Sequence, residues 1–219
     1  MSVRTWYRFQ NATENPSVVD IYINDFIGDW IDDYWGFGVT ARQFLEQLAG
    51  LDARVATIRV HLNSPGGDVF AAHQIANALR DQRASKNRTV ETVVDGLAAS
   101  AATIIMMAGS PVRVSDTAVV MVHNPWSVGV GNSEQMRKLA DDLDVVRDTI
   151  VAAYQWHSPL SSEELIALMD AETWMDADEA IANGLADEKV DGLRAAASLD
   201  PRALAKLTIP DRLKDRVAA

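Results

Sequence analysis

The stretch VATIRVHLNSPGGDVF at residues 55–70 decides the fold, because its pattern changes from strand to helix within a few positions. Residues 55–62 are rich in β-branched and apolar side chains and predict a strand. The breaker residues of 63–68, with Pro65 and two glycines, end that strand. Apolar residues at helical spacing then predict a helix over 69–83. A strand that turns directly into a helix is typical of an α/β fold.

The same alternation continues on both sides of this stretch. Residues 18–23 predict a strand before it, and 89–94 predict one after it. Gly96 is expected to turn the chain into a helix of small residues at 97–109. The other expected elements are short strands near 112–114 and 119–122, and helices at 41–48 (capped by Thr40), 133–156, 161–169 and 176–183. The predicted fold class is α/β with a largely parallel sheet, whose chemistry lies at strand-to-helix turns.

Length and composition fit one domain, or one domain with a short appendage. The chain has 219 residues, 48% of them apolar, which is enough for one sizeable core. Residues 1–192 are expected to form this domain, and the Ala-, Leu- and charge-rich segment 193–219 a tail or linker. An aromatic and acidic segment at 24–38 is expected to be a loop that covers a core or an interface.

Charge and composition exclude several kinds of partner and site. The formal net charge is −11, and an acidic surface repels phosphates, so nucleic acid is not an expected partner. The sequence has no cysteine, which excludes disulfides and thiolate metal sites. No H-E-x-x-H spacing is present, and neither a metal nor a cofactor is expected. Because we recognise no secretory signal and no long apolar run, we predict a cytoplasmic protein without membrane contact.

Ser100 is the first candidate for chemistry. It lies in DGLAASAA at 95–102, and a glycine turn is expected to place it in the first turn of a helix. Free N–H groups at a helix start favour negative charge, and the small neighbours leave room for a polypeptide. The N–H of Ala101 can then point at the oxyanion of a tetrahedral intermediate. The alternative is that Ser100 only fills space in a tightly packed helix.

The paired glycines of 63–68 are the second candidate. Glycine lets the backbone approach a ligand closely and adopt positive φ, so these N–H groups can form the other half of an oxyanion hole. The alternative is an ordinary strand-to-helix turn in which Asp68 caps the helix.

His123 is the third candidate, because it ends a predicted strand just before Asn-Pro and can face the C-terminal edge of the sheet. The other histidines are interpreted as structural: His61, His73 and His157. A serine–histidine pair usually needs a third group that orients the imidazole. Spacing does not choose among the three carboxylates of MDAETWMD: Asp170, Glu172 and Asp176.

Four motifs in this order resemble the Clp protease family of serine peptidases. NSPGGDV, DGLAASAA and MVHNP are similar to the family's N-S-P-G-G, G-x-A-A-S and M-I-H-Q/N-P motifs. ETWMDADEAIANGLAD is similar to the family's segment around the triad acid. The resemblance covers about residues 18–190 and implies the Clp/crotonase-type spiral of ββα units.

The resemblance implies a triad and an oxyanion hole. Ser100 would be the nucleophile, His123 the general base and Glu172 the acid. Clp peptidases usually have Asp at this last position, and Asp170 is the reserve. The N–H groups of Gly67 and Ala101 would bind the oxyanion. The chain is therefore expected to be a hydrolase, a serine-type endopeptidase acting on a polypeptide.

The resemblance also implies a homo-oligomeric ring, built through a protruding long helix at about 133–156. Its apolar positions recur at helical spacing: Leu139, Leu143, Val146, Ile150 and Tyr154. The alternative is that these side chains pack on their own domain.

Within the family, several details are most similar to phage head-maturation proteases. They are the aromatic and acidic segment at 25–37, MDAETW, and VHNPW followed by a glycine-containing loop. This branch implies a protease that trims scaffold or capsid proteins in an assembling procapsid, in a bacterial or phage-infected host cytoplasm. Two alternatives stay open: a housekeeping proteolytic subunit that receives polypeptides from an unfoldase ATPase, and a catalytically silent ring subunit.

Overall fold

The computed structural model describes residues 7–11, 15–28, 41–191 and 208–213. The strands are β1 (Tyr7–Asn11), β2 (Val18–Asn24), β3 (Thr57–Ser64), β4 (Thr89–Ala99), β5 (Val112–Ser115), β6 (Val119–Val122), β7 (Thr173–Met175) and β8 (Glu188–Val190). The helices are α1 (Ala41–Ala49), α2 (Val69–Ala84), α3 (Ala101–Met106), α4 (Ser133–Tyr154), α5 (Ser162–Asp170), α6 (Ala177–Ala182) and a 3₁₀ turn (Asp211–Leu213). No helix within these ranges is long and apolar enough to cross a bilayer.

The eight strands form one sheet with a parallel centre. Strands β2, β3, β4, β5 and β8 are neighbours in that order and run parallel. Strand β1 is antiparallel to β2, and β7 is antiparallel to β6. The predicted α/β class is confirmed. The C-terminal ends of the parallel strands meet at one edge of the sheet, where such folds place their chemistry.

Strand β4 is the branch point of the sheet. Its first half pairs with β5 and its second half with β6. Leu62 of β3 faces Val94 of β4, but Ser64 faces Ala98. Two steps along β3 therefore match four along β4, so β4 bulges between its halves. A bulge bends a strand and redirects its end, and the end of β4 leads directly to Ser100.

One face of the sheet is apolar and buried, whereas the other carries charged side chains. One face packs against the helices, and fully buried side chains fill the space between them, among them Ile21, Ile23, Phe44, Ile58, Leu62, Ile75, Leu79 and Ile104. Alternate residues on the other face form a row of ion pairs across the strands, from Asp20 and Arg59 to Glu91 and Arg113. The alternation of buried and partly exposed residues along β2 follows this division.

The structure corrects the sequence prediction beside Ser100. The helix expected from residue 97 begins only at Ala101, and Gly96 lies inside β4 instead of forming a turn. Residues 97–99 pair with 119–121 of β6. Alanine favours helix over strand, but these backbone hydrogen bonds override that weak preference. The short strands β1, β7 and β8 were not predicted.

Some expectations fall outside the described residues. They are the cap at Thr40, the loop at 24–38 beyond residue 28, and most of the tail at 193–219. The division into 1–192 and 193–219 stays a prediction. Within the tail, residues 208–213 are described, and Leu213 packs against strands of the domain with 2% of its surface exposed.

Candidate active site

Ser100 lies on a sharp turn between β4 and α3. Its φ of 55° and ψ of −129° form a combination that residues other than glycine rarely adopt. The Ser100 N–H donates to the Met121 carbonyl of β6 at 2.9 Å, and the Ser100 carbonyl accepts from the Thr103 N–H at 2.9 Å. Ser100 is therefore the N-cap residue of α3 and lies one position before its first turn. The sequence analysis had placed it within the first turn. Its hydroxyl makes no capping hydrogen bond, which leaves it available for chemistry.

Tyr154 supports this turn from the end of α4, a role that the sequence analysis missed. The Tyr154 hydroxyl lies 2.7 Å from Thr103 Oγ1, which also donates to the Ser100 carbonyl. Burial raises the pKa of Tyr154 to about 12, so the hydroxyl stays protonated at neutral pH. The available sequence signal was weak: a tyrosine among apolar helix positions needs a partner for its hydroxyl when it is buried.

His123 is hydrogen-bonded to Ser100, with 2.7 Å between His123 Nε2 and Ser100 Oγ. The parallel pairing of β4 and β6, with Ala99 opposite Met121, brings the ends of these strands together. Burial lowers the pKa of His123 below its ordinary 6.5, and the negative charge of Glu172 partly opposes this effect. The imidazole is therefore mainly neutral at pH 7 and can accept a proton from the serine hydroxyl.

Strand β7 places Glu172 opposite His123. In the antiparallel pair of β6 and β7, Val122 faces Thr173, so the next facing positions are His123 and Glu172. Glu172 has a φ of 47°, in the left-handed region, and its charge acts on the imidazole. No hydrogen bond joins these two side chains, both of which belong to the described part of the chain.

The other two candidate carboxylates have different partners. Asp170 Oδ1 accepts a hydrogen bond from Asn124 Nδ2 at 2.7 Å. Asp176 caps α6, and its Oδ1 accepts from the Glu179 N–H at 2.9 Å. Of the three carboxylates that spacing left open, Glu172 is the one whose charge reaches His123.

Gly66 packs directly against the Ser100 turn. Its φ is 97°, and a Cβ added here would lie 2.6 Å from the Ala99 carbonyl oxygen and 2.7 Å from Ser100 Cβ. Side-chain atoms do not approach so closely, so only glycine fits without displacing the serine. The loop after β3 therefore forms a wall of the candidate site.

Gly67 is fixed by Ile27, which lies shortly after the end of β2. The Ile27 N–H donates to the Gly66 carbonyl and the Ile27 carbonyl accepts from the Asp68 N–H, both at 2.8 Å. A Cβ on Gly67, whose φ is 145°, would lie 2.0 Å from the Ile27 oxygen. Asp68 also caps α2 by accepting from the Ala71 N–H. The loop is thus both a capped turn and part of the site.

Two backbone donors beside Ser100 have no acceptor within the described residues. They are the N–H groups of Gly67 and Ala101. Ala101 follows the serine in sequence, and Gly67 follows the glycine that packs on it. Unpaired donors at this place fit the binding of a negatively charged oxygen.

Residues 37–192 match the family model described as Clp protease. This chain belongs to the Clp protease family. The match covers most of the chain and confirms the expected enzyme class, a peptidase. The α/β sheet described above is consistent with this family.

Several curated proteins are similar to this Clp-family chain. The ATP-dependent Clp protease proteolytic subunit of Deinococcus radiodurans is 29% identical over 158 residues, which cover 70% of this chain and 76% of the relative. The protein of the same name from Bacteroides fragilis is 31% identical over 167 residues, with 74% and 76% covered. The ATP-dependent Clp protease proteolytic subunit 4, chloroplastic, of Arabidopsis thaliana is 29% identical over 196 residues, with 88% and 61% covered. None of these three names refers to phage head maturation, so they do not show that finer resemblance.

Proposed function

We propose that this Clp-family chain is a serine endopeptidase and the proteolytic subunit of a ring. The observation that carries the proposal is the 2.7 Å hydrogen bond between Ser100 Oγ and His123 Nε2. A serine is a weak nucleophile unless an adjacent base takes its proton. The lowered pKa of His123 leaves the imidazole free to do so at neutral pH.

The proposed reaction is acyl transfer from the substrate to Ser100. His123 takes the Ser100 proton as Oγ attacks the peptide carbonyl, and Glu172 stabilises the imidazolium that forms. The N–H groups of Gly67 and Ala101 bind the oxyanion, an interaction worth about 3 kcal/mol for a single donor in comparable enzymes. His123 then protonates the leaving amine, and water hydrolyses the acyl-enzyme with His123 again as base.

Exposed apolar side chains support assembly into a ring. The loop between β6 and α4 exposes 73% of Trp126, 83% of Val128 and 99% of Val130. Exposed apolar side chains this close together in sequence favour an interaction site. The N-terminal part of α4 adds the half-buried residues Leu139 and Leu143.

Three residues expected to serve the ring pack on their own domain instead. Ile150 and Tyr154 are buried, with 4% and 2% of their surface exposed. Val146 is partly buried and packs against the same core. The C-terminal end of α4 lies against α3 and the core, whereas the earlier turns extend away from it. We therefore assign the proposed ring surface to residues 126–143.

The names of the relatives favour the housekeeping alternative over phage head maturation. The three relatives described above are named as proteolytic subunits of ATP-dependent Clp proteases. We therefore propose that an unfoldase ATPase delivers polypeptides to this subunit in the cytoplasm. Trimming of scaffold or capsid proteins stays a prediction from the sequence without support from these relatives.

A fluorophosphonate probe followed by mass mapping tests the catalytic assignment. We expect modification at Ser100, its loss in Ser100→Ala and a strong reduction in His123→Ala, because the probe reacts with an activated serine. Ser110→Ala, which removes an exposed serine, is the matched control and should label normally. Absence of labelling in the assembled ring would refute the proposal and favour a silent ring subunit.

Native mass spectrometry of the full chain tests the assembly. We expect a complex of several copies that dissociates in Val130→Asp, because a charge cannot be buried unpaired in an interface. Phe70→Asp replaces an apolar side chain of α2 that is 65% exposed and should leave the complex intact. A wild-type monomer at micromolar concentration would contradict the ring. ATP-dependent degradation of a folded substrate with a Clp-type ATPase added would separately test the ATPase partner.

A further inference from the structure

A short C-terminal segment packs beneath the candidate active site. We call residues 208–213 the C-terminal clasp. Its Leu213 is 2% exposed, and Ile209 packs beside it. The cluster around Leu213 is separate from the main core, and its other members are Leu97, Ala99, Val119, Met121 and Trp174.

The residues that contact the clasp come from the three strands that carry the proposed triad. Strand β4 ends directly before Ser100, and β6 ends directly before His123. Strand β7 begins directly after Glu172. The clasp therefore contacts all three strands that position the members of the proposed triad.

Strand β7 is the weakest of these supports. It contains three residues, and β6 is the one strand that pairs with it among the described strands. Arg212 of the clasp makes two further hydrogen bonds beside β7. One of its nitrogens donates to the Trp174 carbonyl of β7 at 2.8 Å, and the other lies 3.1 Å from Glu179 Oε2 of α6. The clasp thus ties β7 to the helix that follows it.

We propose that the C-terminal clasp positions the acid of the triad. Arg212 and Leu213 hold β7 in place and thereby keep Glu172 opposite His123, so both are positioning residues. This inference rests on the proposed function for its effect on catalysis. The placement of Glu172 itself can be measured in the protein without an assay of catalytic activity.

The pKa of His123 reports that placement. The charge of Glu172 now raises this pKa against the effect of burial, so a displaced Glu172 lets the pKa fall. Loss of a tail that merely stabilises the fold would lower the melting temperature and leave the pKa of His123 unchanged. An NMR titration of the His123 imidazole, assigned with His123→Ala, separates the two cases.

The main variants are Arg212→Gln and Leu213→Ala, and the matched control is Glu179→Gln. The control removes the ionic partner of Arg212 but keeps an amide that can complete the capping box of α6. We expect the two clasp variants to lower the pKa of His123 and kcat while KM stays unchanged. The loss in kcat should be about tenfold, below the roughly hundredfold cost of a 1 Å misplacement of reacting groups. The control should keep its kcat within about twofold, since surface ion pairs contribute little.

A double-mutant cycle with Glu172→Gln decides whether the clasp acts through the acid. We expect Arg212→Gln to cause no further loss of kcat in that background, because residues that act through one another are not additive. Additive losses, or a lower melting temperature with an unchanged pKa of His123, would overturn the proposal. If the wild-type chain had no activity, the proposed function would fail, and the titration of His123 would still decide the role of the clasp.

Discussion

The serine side and the carboxylate side of His123 are built differently. On the serine side, the imidazole makes a 2.7 Å hydrogen bond to Ser100, whose backbone is bonded to Met121 and packed against Gly66. On the carboxylate side, Glu172 acts through its charge and depends on a three-residue strand. The proposed nucleophile is thus held by the centre of the sheet, while the proposed acid is held by its margin, which the C-terminal clasp contacts.

The largest effect is expected on the serine side. Ser100→Ala should reduce peptide cleavage by about 10⁶-fold, to background, because it removes the nucleophile. Its melting temperature should stay close to that of the wild type, since the hydroxyl makes no capping bond and the lost hydrogen bond to His123 is worth only about 1 kcal/mol. Cleavage rates of a fluorogenic peptide together with thermal unfolding check both statements. Activity retained in this variant would mean that another residue attacks the substrate.

Substitutions on the carboxylate side should reduce kcat less than Ser100→Ala does. The loss should be larger for Glu172 than for Asp170. Glu172→Gln should lower kcat by about 10³-fold, less than the roughly 10⁴-fold loss seen when the acid of a triad is neutralised, because Glu172 acts on His123 through its charge and not through a hydrogen bond. Asp170→Asn is the matched control and should cost less than about tenfold, because Asp170 bonds Asn124 instead of His123. Steady-state kinetics of both variants check this prediction. A larger loss of kcat in Asp170→Asn would assign the acid of the triad to Asp170 instead of Glu172.

The pH dependence distinguishes the two sides further. Because His123 must be neutral to act as base and burial lowers its pKa, the acid limb of kcat/KM should lie below pH 6.5. Glu172→Gln removes a charge that raises this pKa, so the limb should move to lower pH. A pH–rate profile checks the direction. A limb that moved to higher pH would show that Glu172 does not face the imidazole.

The smallest expected effect concerns the support behind Ser100. Tyr154→Phe removes the hydroxyl bonded to Thr103 and should cost about 1 kcal/mol of unfolding free energy. A few-fold loss of kcat should accompany it, because the Thr103 hydroxyl then orients the Ser100 carbonyl less firmly. Tyr22→Phe, on the charged face of the sheet, is the control and should change neither quantity measurably. Equal effects of Tyr154→Phe and Tyr22→Phe would show that the Tyr154 hydroxyl does not support the Ser100 turn.

The sequence predicted the proximity of Ser100 and His123 better than the local structure around them. The motifs located Ser100 and His123, and the structure brings their side chains together. The residues before Ser100 were assigned to a helix, although 97–99 complete β4. Leucine and alanine favour a helix, and pairing with β6, more than twenty residues later in the chain, overrode that preference. Local propensity carries no information about such a partner.

The sequence by itself determined the α/β class, the family and the order of the site motifs, because strand and helix periods and glycine requirements are local properties. The tertiary structure alone decided which carboxylate faces His123, since that depends on the register of β6 with β7. It also decided that Tyr154 serves the serine turn and that residues 208–213 return to the active-site strands. These contacts join distant parts of the chain, and only the packing of the whole domain brings them together.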